Sequence, residues 1–159
     1  VHTGPLHLMG NMLFLWVFGN AVNYKFGHLG FLALFVAGAI ASGVAFYCTR
    51  PGVPVVGASG AIMAIVGAYV VFFPRNDVTM AYWFLFSFGT FEVSSWVMVA
   101  MWFGFDLLYL TIGVQSGVAY VSHVVGCLAG LTIAVALAWF QILVPTRYEQ
   151  TLLEVWGAR

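Results

Sequence analysis

The chain has 159 residues, of which 63% are hydrophobic and only 6% are charged, whereas an ordinary soluble domain carries about 25% charged residues. Its mean hydropathy of +1.02 predicts an integral membrane protein with the lipid bilayer as its surroundings. Five basic and five acidic residues give zero formal net charge, which argues against a nucleic-acid partner because no basic surface can form.

Apolar runs long enough to cross a bilayer occur five times in the chain, since a crossing helix needs about 20 predominantly apolar residues. They predict an all-α polytopic membrane protein built as a helical bundle. The predicted membrane-spanning helices are Leu6–Tyr24, Leu29–Thr49, Ser59–Phe73, Val93–Ile112 and Ala119–Leu143.

Two segments outside these helices have their own compositions. Thr79–Phe91 is rich in aromatic residues but broken by Gly89, so an interfacial loop is expected there, and not a sixth crossing. Residues 1–144 are expected to form a transmembrane core, and residues 145–159 a cytoplasmic tail. A short amphipathic surface helix is expected in the tail, with its apolar side formed by Leu152, Leu153 and Trp156.

Crossing parity and charge together predict the orientation. Arg50 falls on one side of the five helices, and the other side carries Lys25, Arg75, Arg147 and Arg159. Basic residues favour the cytoplasmic side, so the C-terminus is predicted inside, in a plasma membrane of bacterial type. The chain then starts outside the cell at Val1, and we expect it to be a fragment of a protein with one more helix upstream.

Polar side chains inside membrane helices are costly unless they are paired or functional, and three sets occur here. His7 and Asn11 lie four residues apart on one face of the first predicted helix, Ser59 begins the third, and Ser122 and His123 begin the fifth. These helices are all odd-numbered, so they start on the same side of the membrane. Parity therefore predicts that the three sets lie at similar depth and converge.

Ser59 stands in the sequence GASG, where a turn gives way to an apolar helix. Backbone N–H groups in the first turn of a helix have no intrahelical acceptor, and the helix dipole favours negative charge there. A nucleophile and part of an oxyanion site would therefore share one turn. Small residues at a helix start also permit close helix packing, which is the commoner role of such a motif taken alone.

The chemistry of acyl transfer suggests a role for each polar residue. A neutral imidazole activates a serine hydroxyl by accepting its proton, and His123 is the histidine whose helix can approach Ser59. His7 and Asn11 would supply hydrogen-bond donors to the oxyanion. No acidic residue is expected near His123, so a serine–histidine dyad without an acid is predicted. Asp106, within the fourth predicted helix, is expected either to mark a proton path or to pair with a Ser, Thr or Tyr hydroxyl of another helix, and the pairing is favoured.

Close approach of the two catalytic helices requires small residues on both of them. Gly57 and Gly60 flank the serine, and Gly126 and Gly130 follow the histidine at four-residue spacing. Cys48 and Cys127 lack the spacing of a metal site, and the histidines have no third ligand, so neither a metal nor a cofactor is predicted.

The same motifs, in this order, resemble the rhomboid family of intramembrane serine proteases. The resemblance covers nearly the whole chain and is carried by His7-x-x-x-Asn11 within HLMGNMLFLWVFG, GASGAI around Ser59, SHVVG around His123 with Gly130 after it, and Pro74-Arg75. It implies a Ser59–His123 dyad in a water-filled cavity open to the outer side. It further implies substrates with a single transmembrane segment, cut near the outer end of that segment.

The chain departs from the family pattern in a few places. Met63 stands where an aromatic residue often packs on the histidine, and Ser122 replaces a frequent alanine and is expected to bond His123 or nothing. The family's usual first helix and its following loop are expected to lie upstream of Val1 in the full protein.

Two other classes of protein compete with a protease. A catalytically inactive rhomboid-like protein would bind transmembrane segments without cutting them, although such proteins usually lack the serine or the histidine. A channel or small transporter would use polar residues through both leaflets, whereas here all but Asp106 cluster at one depth. The oligomeric state is left open by the sequence.

Overall fold

The computed structural model describes residues 4–54, 57–113, 118–145 and 150–157. Within these ranges the chain forms five helices and one two-stranded hairpin. In chain order they are α1 (Pro5–Thr49), α2 (Ser59–Phe72), β1 (Asp77–Phe84), β2 (Ser87–Ser94), α3 (Ser95–Thr111), α4 (Tyr120–Trp139) and α5 (Leu152–Val155).

Helix α1 folds back on itself at Gly27, whose φ of 68° and ψ of 166° are not helical. A positive φ of this kind costs glycine nothing, because glycine has no Cβ. A Cβ at Gly19, before the break, would lie 3.7 Å from the ring of Phe31 after it, so the two halves are neighbours. The halves correspond to the first two predicted helices, and the sequence placed the break between them correctly.

Helix α2 is the centre of the bundle and is buried along almost its whole length, as its apolar sequence on all sides requires. Its contact with α4 is unusually close, because small residues alternate between the two helices. A Cβ at Gly126 would collide with the carbonyl oxygen of Gly60, and one at Gly130 with that of Ala64. A Cβ at Gly67 would collide with the carbonyl of Cys127 in the same way.

The segment between α2 and α3 is a β-hairpin, which the sequence did not predict. β1 and β2 pair antiparallel from Asp77 opposite Ser94 to Phe84 opposite Ser87. The expectation that a helix begins at Val93 is therefore wrong, since α3 begins at Ser95. The all-α expectation holds for the bundle but not for this hairpin.

The tail contains the helix α5, which has only four residues and is shorter than the amphipathic surface helix expected from the sequence. Thr151 and Glu154 form a reciprocal capping box at its start. Leu152, Val155 and Trp156 face a cavity of about 540 Å³ between α2, α3 and α4. Leu153, together with these residues, holds the tail against the bundle.

Two of the helices, α1 and α4, are long and apolar enough to cross a membrane, and α2 and α3 are shorter apolar helices. The basic residues lie at opposite ends of the bundle, as parity predicted. Lys25 donates a hydrogen bond of 2.8 Å to the carbonyl of Val144 beyond α4, whereas Arg50 lies near Tyr120 at the start of α4. Arg75 bonds Gln150 in the tail, and the predicted Arg147 and Arg159 lie outside the described residues.

Candidate functional site

A cavity of about 420 Å³ opens between α1, α2, α3 and α4 near the end that carries Arg50. The four predicted site residues line it: His7, Asn11, Ser59 and His123. They come from three different helices, so only the folded bundle brings them together. The rest of the wall is largely apolar and aromatic, with Met63, Trp102, Phe105, Tyr109 and Tyr120 among its residues.

Ser59 is the first residue of α2, directly after a turn that depends on Gly57. Gly57 has a φ of 120°, and a Cβ there would lie 3.0 Å from Cε1 and 3.3 Å from Nε2 of His7. A larger residue would strain the backbone and push the imidazole aside. Gly57 therefore lets the His7 ring lie directly against the turn that leads to Ser59.

Asn11 is one turn after His7 in α1 and is 7% exposed. Its Nδ2 is the single buried side-chain nitrogen or oxygen in the described ranges that has no hydrogen-bond partner. An unpartnered buried donor costs about 1–3 kcal/mol, so proteins rarely keep one without a reason. Here the amide lines the cavity, where a bound oxygen atom could accept from it.

His123 is anchored to α3 by its Nδ1, which lies 3.1 Å from Oδ2 of Asp106. Both side chains are largely buried, at 17% and 11% exposure. The expectation that no acidic residue lies near His123 is therefore wrong, and so is the pairing of Asp106 with a hydroxyl group. The hydrogen bonds of the described chain join His123 to Asp106 and do not join it to Ser59.

Antiparallel geometry explains this misjudgement. Asp106 lies five residues before the end of α3, or about 8 Å along the axis, and His123 lies three residues after the start of α4. The two helices run in opposite directions, so both residues are near the same end of the bundle. Applying the parity argument to the fourth predicted helix would have found Asp106.

Ser122 does form a hydrogen bond, but not with His123, so both alternatives left open by the sequence are wrong. Its hydroxyl donates a hydrogen bond of 3.2 Å to the carbonyl oxygen of Ser42 in α1, and this hydrogen bond is buried. A Cβ at Gly60 would collide with the hydroxyl of the same Ser42. Ser42 thus lies where α1, α2 and α4 meet, directly behind the site, and no sequence motif marked it.

Apolar helices around a cavity with a largely apolar wall and a few polar side chains are typical of an α-helical membrane protein. The Rhomboid domain family matches residues 1–140. The chain belongs to the rhomboid family, which makes it an integral membrane protein.

Two curated relatives agree with this assignment. Rhomboid protease GluP of Bacillus subtilis (strain 168) is 32% identical over 139 residues, covering 86% of this chain and 24% of that protein. Presenilin-associated rhomboid-like protein, mitochondrial, of Bos taurus is 32% identical over 92 residues, covering 55% of this chain and 24% of that protein. The chain thus spans about a quarter of the length of these relatives. Among solved structures, none matches the chain significantly.

Proposed function

We propose that this protein is an intramembrane serine endopeptidase that uses Ser59 as nucleophile and His123 as general base. The observation that carries the proposal is the convergence of His7, Asn11, Ser59 and His123 on one cavity. Membership of the rhomboid family and similarity to a relative named a protease support the same chemistry.

The reaction follows from the positions of these groups. Ser59 Oγ attacks the scissile carbonyl carbon while His123 accepts the hydroxyl proton. The carbonyl oxygen becomes an oxyanion, which receives hydrogen bonds from the amide of Asn11, from His7 and from the N–H groups at the start of α2. His123 then gives its proton to the leaving amine as the C–N bond breaks. A water molecule, deprotonated by His123, releases the acyl group and restores the serine.

No hydrogen bond joins Ser59 and His123 among the described residues, which is compatible with an enzyme that has no substrate bound. Catalytic hydrogen bonds are often long or unformed without substrate and tighten in the Michaelis complex. Water reaches the serine through the cavity, while the apolar wall excludes it elsewhere. The substrate class we propose is a membrane protein with a single transmembrane segment, unwound and cut near its outer end.

The orientation and domain organisation belong to the same proposal. Residues 1–144 form the transmembrane core, the tail and C-terminus are cytoplasmic, and the cavity opens toward the outer side of a plasma membrane. Lys25 and Arg75 at one end of the bundle support this orientation, because basic residues favour the cytoplasm.

The test is cleavage of a tagged single-span substrate by full-length protein in liposomes. Ser59→Ala and His123→Ala are each expected to lower the rate by at least about 1,000-fold and to leave the protein folded. Matched controls are Ser87→Ala at the start of β2 and His28→Ala, whose side chains are exposed; both should cut like wild type.

One result would favour the alternative function, a protein that binds transmembrane segments without cleaving them. If wild type and Ser59→Ala bind the substrate equally and neither cuts it, the protein recognises transmembrane segments without hydrolysing them. Cleavage by Ser59→Ala at the wild-type rate would instead show that another residue is the nucleophile.

A further inference from the structure

The contact between Asp106 and His123 is unusual for its surroundings. Asp106 is 8% exposed in an apolar helix of a membrane protein, where an ionisable group is costly and is kept for a purpose. In the described ranges its carboxylate makes no helix cap and no ion pair with a lysine or an arginine. The hydrogen bond that it does make there goes to the proposed general base.

We propose that Asp106 is a positioning residue that sets the tautomer and orientation of His123, an inference that rests on the proposed function. A carboxylate only accepts hydrogen bonds, so the 3.1 Å contact requires the proton of a neutral His123 on Nδ1. Nε2 then carries the lone pair, and it is the nitrogen left to accept the proton of Ser59. Without the acid, the imidazole could adopt either tautomer and rotate in the cavity.

The carboxylate also has an electrostatic role in the reaction. When His123 takes the proton of Ser59, an imidazolium forms in a cavity with an apolar wall, where water solvates it poorly. The negative charge of Asp106 stabilises that imidazolium through Nδ1–H, while the proton stays on the imidazole. The other titratable groups bordering the cavity are His7, Tyr109 and Tyr120, so Asp106 is the carboxylate among the described residues that line it.

The helix arrangement makes this contact a link between two helices. Asp106 belongs to α3 and His123 to α4, and Ser59 lies across the cavity on α2. A shift of α3 would therefore move the acid relative to the base. The site contains three groups in the order serine, imidazole and carboxylate, contributed by α2, α4 and α3.

The experiment compares Asp106→Asn, Asp106→Glu and wild type in the liposome cleavage assay, with Asp77→Asn as the matched control. Asn keeps the shape of Asp106 but removes the charge, and its amide can force the wrong tautomer. We expect kcat to fall at least about 30-fold with KM within about twofold. Glu should recover a substantial part of the rate, because it restores a carboxylate. Asp77 accepts from Ser94 at the base of the hairpin, away from the cavity, so its variant should cut normally.

A second measurement reads the tautomer without any reaction. Nitrogen-15 spectra of histidine-labelled protein should show His123 protonated at Nδ1, with His123→Gln providing the assignment. Asp106→Leu, which offers no acceptor, should give a tautomer mixture.

Each outcome separates this inference from the proposed function. If wild type cuts and Asp106→Asn cuts within about twofold of it, the protease stands and the positioning role is overturned. If wild type shows His123 protonated at Nε2 instead, the role is overturned whatever the activity. If wild type does not cut at all, the proposed function fails, and the tautomer spectra alone decide whether Asp106 positions His123.

Discussion

At the scale of single residues, the site contains a buried polar group that lowers the stability of the fold. The Nδ2 of Asn11 is buried without a partner in the described chain, whereas the exposed Asn20 on the same helix donates its amide to the carbonyl of Trp16 at 3.2 Å. Active sites commonly sacrifice stability for groups that pair only in the transition state. Asn11 has the features of such a group.

Asn11→Leu is therefore expected to separate stability from activity. The substitution removes an unsatisfied donor, so the free energy of unfolding should stay level or rise by about 1 kcal/mol. Cleavage should fall about 100- to 1,000-fold through loss of an oxyanion donor. Thermal unfolding in detergent and liposome cleavage measure the two effects.

The control for this variant is Asn20→Leu, which makes the same chemical change outside the cavity. It should cut substrate at the wild-type rate. A large drop in unfolding temperature for Asn11→Leu would contradict the idea that its amide lacks a partner in the resting protein.

At the scale of helices, the site depends on how closely α2 approaches α4. Gly130→Ala introduces a methyl group where the carbonyl oxygen of Ala64 already lies, and forced separation of packed helices costs roughly 1–3 kcal/mol. We expect a lower unfolding temperature and slower cleavage, because Ser59 and His123 would move apart. The matched control is Gly43→Ala in α1, since a Cβ there meets nothing within 4 Å.

Helix α3 offers a different kind of helix contact, one that closes the side of the cavity. Trp102 meets the ring of Phe14 in α1 edge-on, with ring centroids 5.3 Å apart, a contact worth about 0.5–1.5 kcal/mol. Trp102→Val should populate an open arrangement more often and speed cleavage about 2- to 10-fold. Rates at saturating substrate in detergent test this, and an unchanged or lower rate would rule out gating between α1 and α3.

The sequence could predict the bundle helices because membrane helices have a strong, length-limited apolar signal, but α3 begins two residues later and α4 ends four residues earlier than predicted. It could also predict the meeting of His7, Ser59 and His123, because crossing parity fixes depth without any knowledge of side-chain packing. It missed Asp106, which parity would have found, because an isolated acid in a helix carries no motif.

The hairpin was missed for a different reason. β1 and β2 expose residues on both faces, so their sequences lack the alternation of apolar and polar residues that marks a half-buried strand. Exposed aromatic residues on both strands, including the cross-strand pair Trp83 and Phe88, are equally typical of an interfacial loop. The pairing register of β1 and β2 could be read only from the structure.

At the scale of the whole molecule, the two cysteines make the proposed orientation measurable. Cys48 is exposed, near the end of α1 that neighbours Arg50, whereas Cys127 is buried between helices. A membrane-impermeant maleimide added to spheroplasts of a bacterial host should therefore label Cys48 from outside and leave Cys127 unmodified. Cys48→Ser should abolish the labelling.

The opposite face needs a cysteine of its own as a control. Ser87→Cys, made in the Cys48→Ser background, puts a thiol at the exposed start of β2, which the proposed orientation places in the cytoplasm. It should react only after the membrane is permeabilised. Labelling of Ser87→Cys in intact spheroplasts, together with protection of Cys48, would show that the protein has the opposite orientation in the membrane. The cavity would then open to the cytoplasm, and cleavage would occur near the inner end of the substrate's transmembrane segment.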